Sequence, residues 1–248
     1  MSEVAVDIAG TWVRSSALTR AVFSFIDDRP IQRFRWLKGC VVVLDVSAKL
    51  DPRQCAVVNM ECQENLLGPD SVLPGLARTA ADIGLLDTLV ELFDAARSVG
   101  VTIYYCTDER RADGFGRGPN PITDRKGVFQ GSGIGGHGPV MAPIAPKPAD
   151  VVFRREQGVT GFFATGLDPY LRNTGVSTVV LTGVSLNIAV LGTAIEAMNH
   201  GYTVIVPSDA VASDPPEYAD YALRCTVRNV GYVVPSQNII DVWNALRD

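Results

Sequence analysis

Six short apolar runs punctuate the chain, with helix-length segments between most of them. Cys55–Met60, Val101–Tyr105, Asp150–Phe153, Thr178–Leu181, Thr203–Val206 and Gly231–Val234 have the length and β-branched content of buried strands. Thr79–Ser98 places Ile83, Leu86, Leu89, Val90, Phe93 and Ala96 at helical spacing, and Gly100 is its stop signal. Leu167–Thr174, the segment after Gly183, Tyr218–Asn229 and Ile239–Leu246 read as further helices, whereas Leu66–Arg78 reads as a Gly/Pro-rich loop. Strand and helix in alternation predict an α/β protein: a doubly wound, mostly parallel six-stranded sheet with helices on both faces. Ligands of such sheets bind off the carboxyl ends of the strands.

The clearest unit is STVVLTG–VSLNIAVLGTAIEAMNHG–YTVIVPSDAVA, a strand, a helix and a strand between Val176 and Ala212. It aims a site at residues 184–190, where helix-start N–H groups suit a developing anion. The residues there are Val-Ser-Leu-Asn-Ile-Ala-Val, and none is a strong nucleophile.

Residues 1–50 are expected to form an N-terminal extension ahead of a domain spanning 51–248. Within it, Thr11–Ile26 has near-helical spacing, Arg29–Lys38 is basic and aromatic, and Val41–Leu44 is strand-like. The basic stretch reads as an arm packed on the domain or on a neighbouring subunit, with an anion or partner site as the alternative. Phe115–Pro148 is rich in Gly and Pro and has almost no periodicity. It reads as a lid or a subunit contact. Its GSGIGGHG run lacks the strand–turn–helix setting of a phosphate loop, and His137 reads as a loop hydrogen-bonder.

Composition narrows the function. The formal charge is -5 with no basic stripe, which argues against nucleic acid. No apolar run approaches the ~20 residues of a membrane helix. The start of the chain lacks the basic-then-apolar order of a secretion signal. Five cysteines without CxxC spacing fit reduced thiols in a cytoplasm. Cys62 reads as a buried structural thiol. With two histidines, a histidine-rich metal centre is not expected; neither a metal nor a cofactor is called for.

The TGVSLNIAVLGTAIEAMNHGYTVIVPSDAVA segment resembles the signature of the isochorismatase-like hydrolases, the cysteine hydrolase superfamily. The resemblance covers roughly residues 50–235 and implies the strand order 3-2-1-4-5-6. It also implies a Cys-Lys-Asp triad and a non-proline cis peptide, which falls here at Val184-Ser185. The position of the nucleophilic cysteine is Ala189. Glu61 stands where the acid/base Asp is expected, in Glu61-Cys62-Gln63-Glu64 rather than Asp-x-Gln-Asn. Counting back from the Phe162-Phe163-Ala164-Thr165-Gly166-Leu167 run puts the lysine position at Arg155 or Glu156, with Arg154 as the other candidate. Arginine stays protonated and cannot relay protons, but it can hold an anion. Gln63, Arg110, Arg111, Arg154, Phe162, Val184, Ser185 and Asn187 complete the candidate substrate site. Arg110 and Arg111 are either a carboxylate clamp or part of a surface ion-pair cluster.

Three readings follow. One is a hydrolase of a small acidic metabolite that uses acid and water chemistry without a cysteine. One is an inactive, ligand-binding relative. One is an amidase-type enzyme carrying an engineered Cys-to-Ala change at Ala189. The resemblance also implies a homo-oligomer, a dimer or tetramer.

Overall fold

The computed structural model describes residues 4–6, 12–14, 45–109, 115–116 and 138–247. It divides into two units, Met1–Asp45 and Val46–Asp248. In the first, β1 (Val4–Val6) pairs antiparallel with β2 (Trp12–Arg14). The helical spacing drawn from Thr11 therefore begins on a strand. The remainder of that segment, the basic stretch and Val41–Leu44 lie outside the described residues.

The second unit contains all six strands read from the sequence: β3 (Cys55–Met60), β4 (Thr102–Asp108), β5 (Val151–Arg155), β6 (Thr178–Gly183), β7 (Thr203–Pro207) and β8 (Tyr232–Val234). They form one sheet in the order β5-β4-β3-β6-β7-β8, with every pair parallel. Counted within the sheet, that is 3-2-1-4-5-6.

Side-chain alternation divides the interior into two layers. Val57, Ile103, Tyr105, Val180 and Ile205 face one core. That core is closed by α2 (Pro74–Asp82), α3 (Leu85–Ser98) and α7 (Ser236–Ala245), which contribute Leu76, Leu89, Phe93, Ile239 and Trp243. Val58, Met60, Tyr104, Cys106, Leu181 and Val206 face the other core. It is closed by α4 (Leu167–Asn173), α5 (Leu191–Asn199) and α6 (Pro216–Cys225). Val46 and Leu50 are buried in the first core, so packing of the domain begins before residue 51.

Three helix boundaries differ from the sequence reading. Thr79–Ser98 is two helices, because Gly84 adopts a left-handed conformation (φ 64) between them, and Ile83 is exposed instead of facing the core. The loop expected over Leu66–Arg78 holds α1 (Glu64–Leu67) and the start of α2, where Pro74 occupies a first-turn position that a helix accepts. The helix expected over Tyr218–Asn229 is α6 followed by a 3₁₀ turn, Val227–Asn229.

Candidate active site

The strand order reverses between β3 and β6. Their carboxyl ends, Met60 and Gly183, are partners in the sheet register. This is the topological switch point, where open α/β sheets form a crevice. Three backbone departures mark it. Glu61, directly after β3, takes a left-handed φ of 50 and donates its N–H to Cys106 O at 3.2 Å. Gly183 has φ 98, and a Cβ there would stand 2.2 Å from Met60 O. Only glycine lets the two backbones approach this closely. The Val184-Ser185 peptide that follows is cis.

Glu61 and Arg155 meet at this point. Arg155 ends β5, and its register partner is Asp108 on β4, the strand beside β3. Its Nη2 donates to Glu61 Oε1, and its Nη1 donates to Gly158 O at 3.4 Å. The Arg155 side chain is 1% exposed and that of Glu61 15%. The guanidinium is thus enclosed, while the carboxylate keeps some contact with solvent. Arg155 Nε is buried and has no hydrogen-bond partner. Arg154 points the other way. Its side chain is 73% exposed and sits 3.5 Å from Glu109.

Gln63 is fully buried. Its Nε2 donates to Asp108 O (3.2 Å) and Gly138 O (2.8 Å), and its Oε1 accepts from Asp108 N (2.7 Å). Its amide is therefore spent on holding chain segments together. Phe162 stacks with both His200 and Tyr202, with centroids at 5.1 and 5.9 Å. Arg110, Arg111 and His137 lie outside the described residues.

After the cis peptide the chain makes a π-helical turn, Leu186–Val190, before α5 begins. Ala189 is buried within that turn. The turn does not simply offer free N–H groups. Leu186 N donates to Ala212 O at 2.7 Å, and the N–H groups of Ile188 and Val190 both go to Ser185 O, at 3.3 and 3.1 Å. Val184 is fully buried, and its N–H goes to Met60 O at 2.9 Å. Asn187 Oδ1 and, after β7, Ser213 Oγ are buried without partners.

The isochorismatase domain profile matches residues 55–238, most of the chain. The chain belongs to the isochorismatase family. Solved members share its fold. The cysteine hydrolase from Pseudomonas syringae pv. phaseolicola superposes with a TM-score of 0.68 at 23% identity, covering 79% of this chain and 94% of that one. N-carbamoylsarcosine amidase from Thermoplasma acidophilum superposes at 0.56 with 26% identity, covering 74% and 96%. Among curated sequences, maleamate amidohydrolase of Pseudomonas putida is 42% identical over 77 residues, 30% of this chain and 36% of that protein. Ureidoacrylate amidohydrolase RutB of Methylorubrum extorquens is 34% identical over 91 residues, 36% of each. The match thus spans little more than a third of the length of these curated relatives.

Burial keeps the thiols close to this isochorismatase-family site protonated at neutral pH. Burial pushes Cys62 up to about 12, with a smaller upward push from Glu61. Burial likewise pushes Cys106 up to about 12, and the neighbouring Arg155 only partly offsets it. Among the described residues no cluster could hold a metal ion, and no helix is long and apolar enough to cross a membrane.

Three residues that sequence reasoning passed over also belong to the site's frame: Cys106, Gly161 and Thr193. Cys106 carried a signal, its place at the carboxyl end of an apolar run. Gly161 and Thr193 carried none that periodicity or composition could show.

Proposed function

We propose that the protein is a hydrolase of a small, carboxylate-bearing metabolite, with water as nucleophile and Glu61 as proton carrier. The observation that supports this reading is the asymmetric Glu61–Arg155 pair. A partly solvent-exposed carboxylate is fixed at the switch point, backed by an enclosed guanidinium. An ion-paired carboxylate starts as a base. Glu61 takes a proton from water as the water attacks the substrate, then returns that proton to the leaving group. The acid role expected from the sequence becomes the second half of this cycle. Arg155 keeps its proton throughout and stabilises the charged form of Glu61. Arg110 and Arg111 are the candidates for holding a substrate carboxylate. The curated relatives act on maleamate and ureidoacrylate, which carry such a group.

In this reading Glu61, Arg155 and Ala189 are the altered counterparts of the family triad. A ligand-binding relative without turnover is the second reading, and the methyl group at Ala189 favours it. The test is turnover of maleamate, ureidoacrylate and isochorismate by wild type and Glu61→Gln. Wild-type turnover, lost in Glu61→Gln with binding retained, supports the hydrolase. Unchanged turnover in Glu61→Gln removes Glu61 from the mechanism, and binding without product in wild type supports the second reading. Ala189→Cys addresses the engineered reading. Glu61 is then the group that could take the thiol proton, and a variant with no turnover and no acyl-enzyme by intact-protein mass drops that reading. A covalent adduct with amidase turnover would establish the engineered reading instead.

A further inference from the structure

The three segments that carry Glu61, Arg155 and Ala189 converge on one buried hydroxyl. Thr193, in the first turn of α5, is 1% exposed. Its Oγ1 donates to Ala189 O at 2.6 Å, inside the turn that holds the alanine. The same oxygen accepts the N–H of Gly161 at 2.9 Å. It also lies 3.6 Å from Sδ of Met60, the residue before Glu61. A threonine hydroxyl has one proton and two lone pairs. Here the proton is committed to Ala189 and a lone pair to Gly161.

Each contact bears on the site. Gly161 belongs to the loop that leaves Arg155, and that loop already supplies Gly158 O to the guanidinium. A Cβ at Gly161 would stand 3.2 Å from Cys106 Sγ and 3.3 Å from Thr193 Cγ2, so the loop is seated tightly against β4 and α5. A threonine that bonds only the carbonyl four residues back is common on helices. This one also bonds a backbone N–H from a separate segment and touches a third.

We infer that Thr193 is the positioning residue of the site: its hydroxyl sets the register of the Arg155 loop and the Ala189 turn against the strand that presents Glu61. The contacts stand by themselves, whereas their catalytic meaning rests on the hydrolase reading. Two variants separate hydroxyl from shape. Thr193→Val keeps the volume and removes the hydrogen bonds; Thr193→Ser keeps the hydroxyl and removes a methyl group.

The first readout needs no substrate. In ¹⁵N–¹H spectra of the full chain, Thr193→Val is expected to shift the Arg155 Nε–H resonance. It should also speed amide exchange at Gly161 by about tenfold, the scale of one lost hydrogen bond. Thr193→Ser should keep both near wild type. A folded Thr193→Val with an unmoved Arg155 resonance would overturn the inference, even if Gly161 exchanged faster. Should Thr193→Val fail to fold, Gly161→Ala decides, because it presses on the same junction while leaving Thr193 in place. An unmoved Arg155 resonance there has the same meaning.

The second readout uses whichever substrate wild type hydrolyses. Thr193→Val should lower kcat by about ten- to a hundredfold with KM little changed, as for a small misplacement of reacting groups, and Thr193→Ser should recover most of it. Equal losses in the two variants would overturn the inference. A wild type that turns over nothing defeats the hydrolase reading, and the resonance of Arg155 then decides the positioning role alone.

Discussion

Removing the two members of the Glu61–Arg155 pair should be unequal in cost. Arg155 cannot shed its proton, and its side chain is 1% exposed. In Glu61→Gln its charge stays buried without that carboxylate. Breaking a buried pair in this way costs about 3–5 kcal/mol. The Gln carbonyl can still accept from Nη2, which restores about 1 kcal/mol. The net loss is then about 2–4 kcal/mol. In Arg155→Met the partner left behind is a carboxylate that is 15% exposed and can take up a proton. Its loss should be smaller, about 1–3 kcal/mol. The double variant Glu61→Gln/Arg155→Met buries no charge and should lose no more than about 2 kcal/mol. The single losses sum to about 3–7 kcal/mol, so the effects are non-additive by at least about 1 kcal/mol and by about 3 kcal/mol at mid-range, the signature of direct coupling. Urea unfolding of the full chain measures this. With a slope near 3 kcal/mol/M, the Glu61→Gln midpoint should fall by about 1 M. Single-variant losses that simply add, or a Glu61→Gln midpoint equal to wild type, would refute the enclosed pair.

Other regions give independent expectations. Gly183→Ala should lose more than about 3 kcal/mol or fail to fold, since its Cβ would stand 2.2 Å from Met60 O at a φ of 98; a wild-type melting temperature would contradict the close approach of β3 and β6. Burial pushes Asp168 up, but hydrogen bonds from Arg172 and Tyr202 outweigh it and hold the carboxyl below its ordinary 3.8. Its contribution is therefore present above that value and lost as pH falls through the lower folded one. The side chain is partly solvated, so Asp168→Asn should cost under about 1 kcal/mol at pH 7, and the gap between its urea midpoint and that of wild type should narrow as pH falls below 3.8; a gap independent of pH would count against the pairing. Native alkylation at pH 8 should label exposed Cys225 and spare Cys55, Cys62 and Cys106, which are buried and pushed up to about 12; rapid labelling of Cys62 would show that its core opens.

The sheet was legible because parallel strands covered on both faces are nearly continuous apolar runs. CAVVNM and TVVLTG are buried at every position. Boundaries were less legible where one residue overrides periodicity. Ile83 fits a helical stripe by count, yet Gly84 turns the chain and leaves Ile83 exposed. At the site, Glu61 and Arg155 could be picked out as charges following apolar runs. That they bond each other could not, since 94 positions separate them and strand-end register decides which arginine turns inward. Arg154, one residue earlier, faces solvent. Gln63 entered the candidate site through its place in the Glu61-Cys62-Gln63-Glu64 run; that its amide serves three backbone groups brought in by the tertiary fold was not legible there.

That amide has a consequence for how the domain can vary. Gln63 grips the chain at Asp108, where it departs from the sheet, and again at Gly138, where it returns; Glu64 N to Pro139 O and Met141 N to Cys62 O, each 2.9 Å, secure the return. Exit and re-entry are thus fixed by the floor of the domain, whatever the intervening residues 109–137 contain. Closure entropy grows only slowly with length, so a change in the number of residues between these two anchors adds little closure cost, and the anchored frame remains the same foundation.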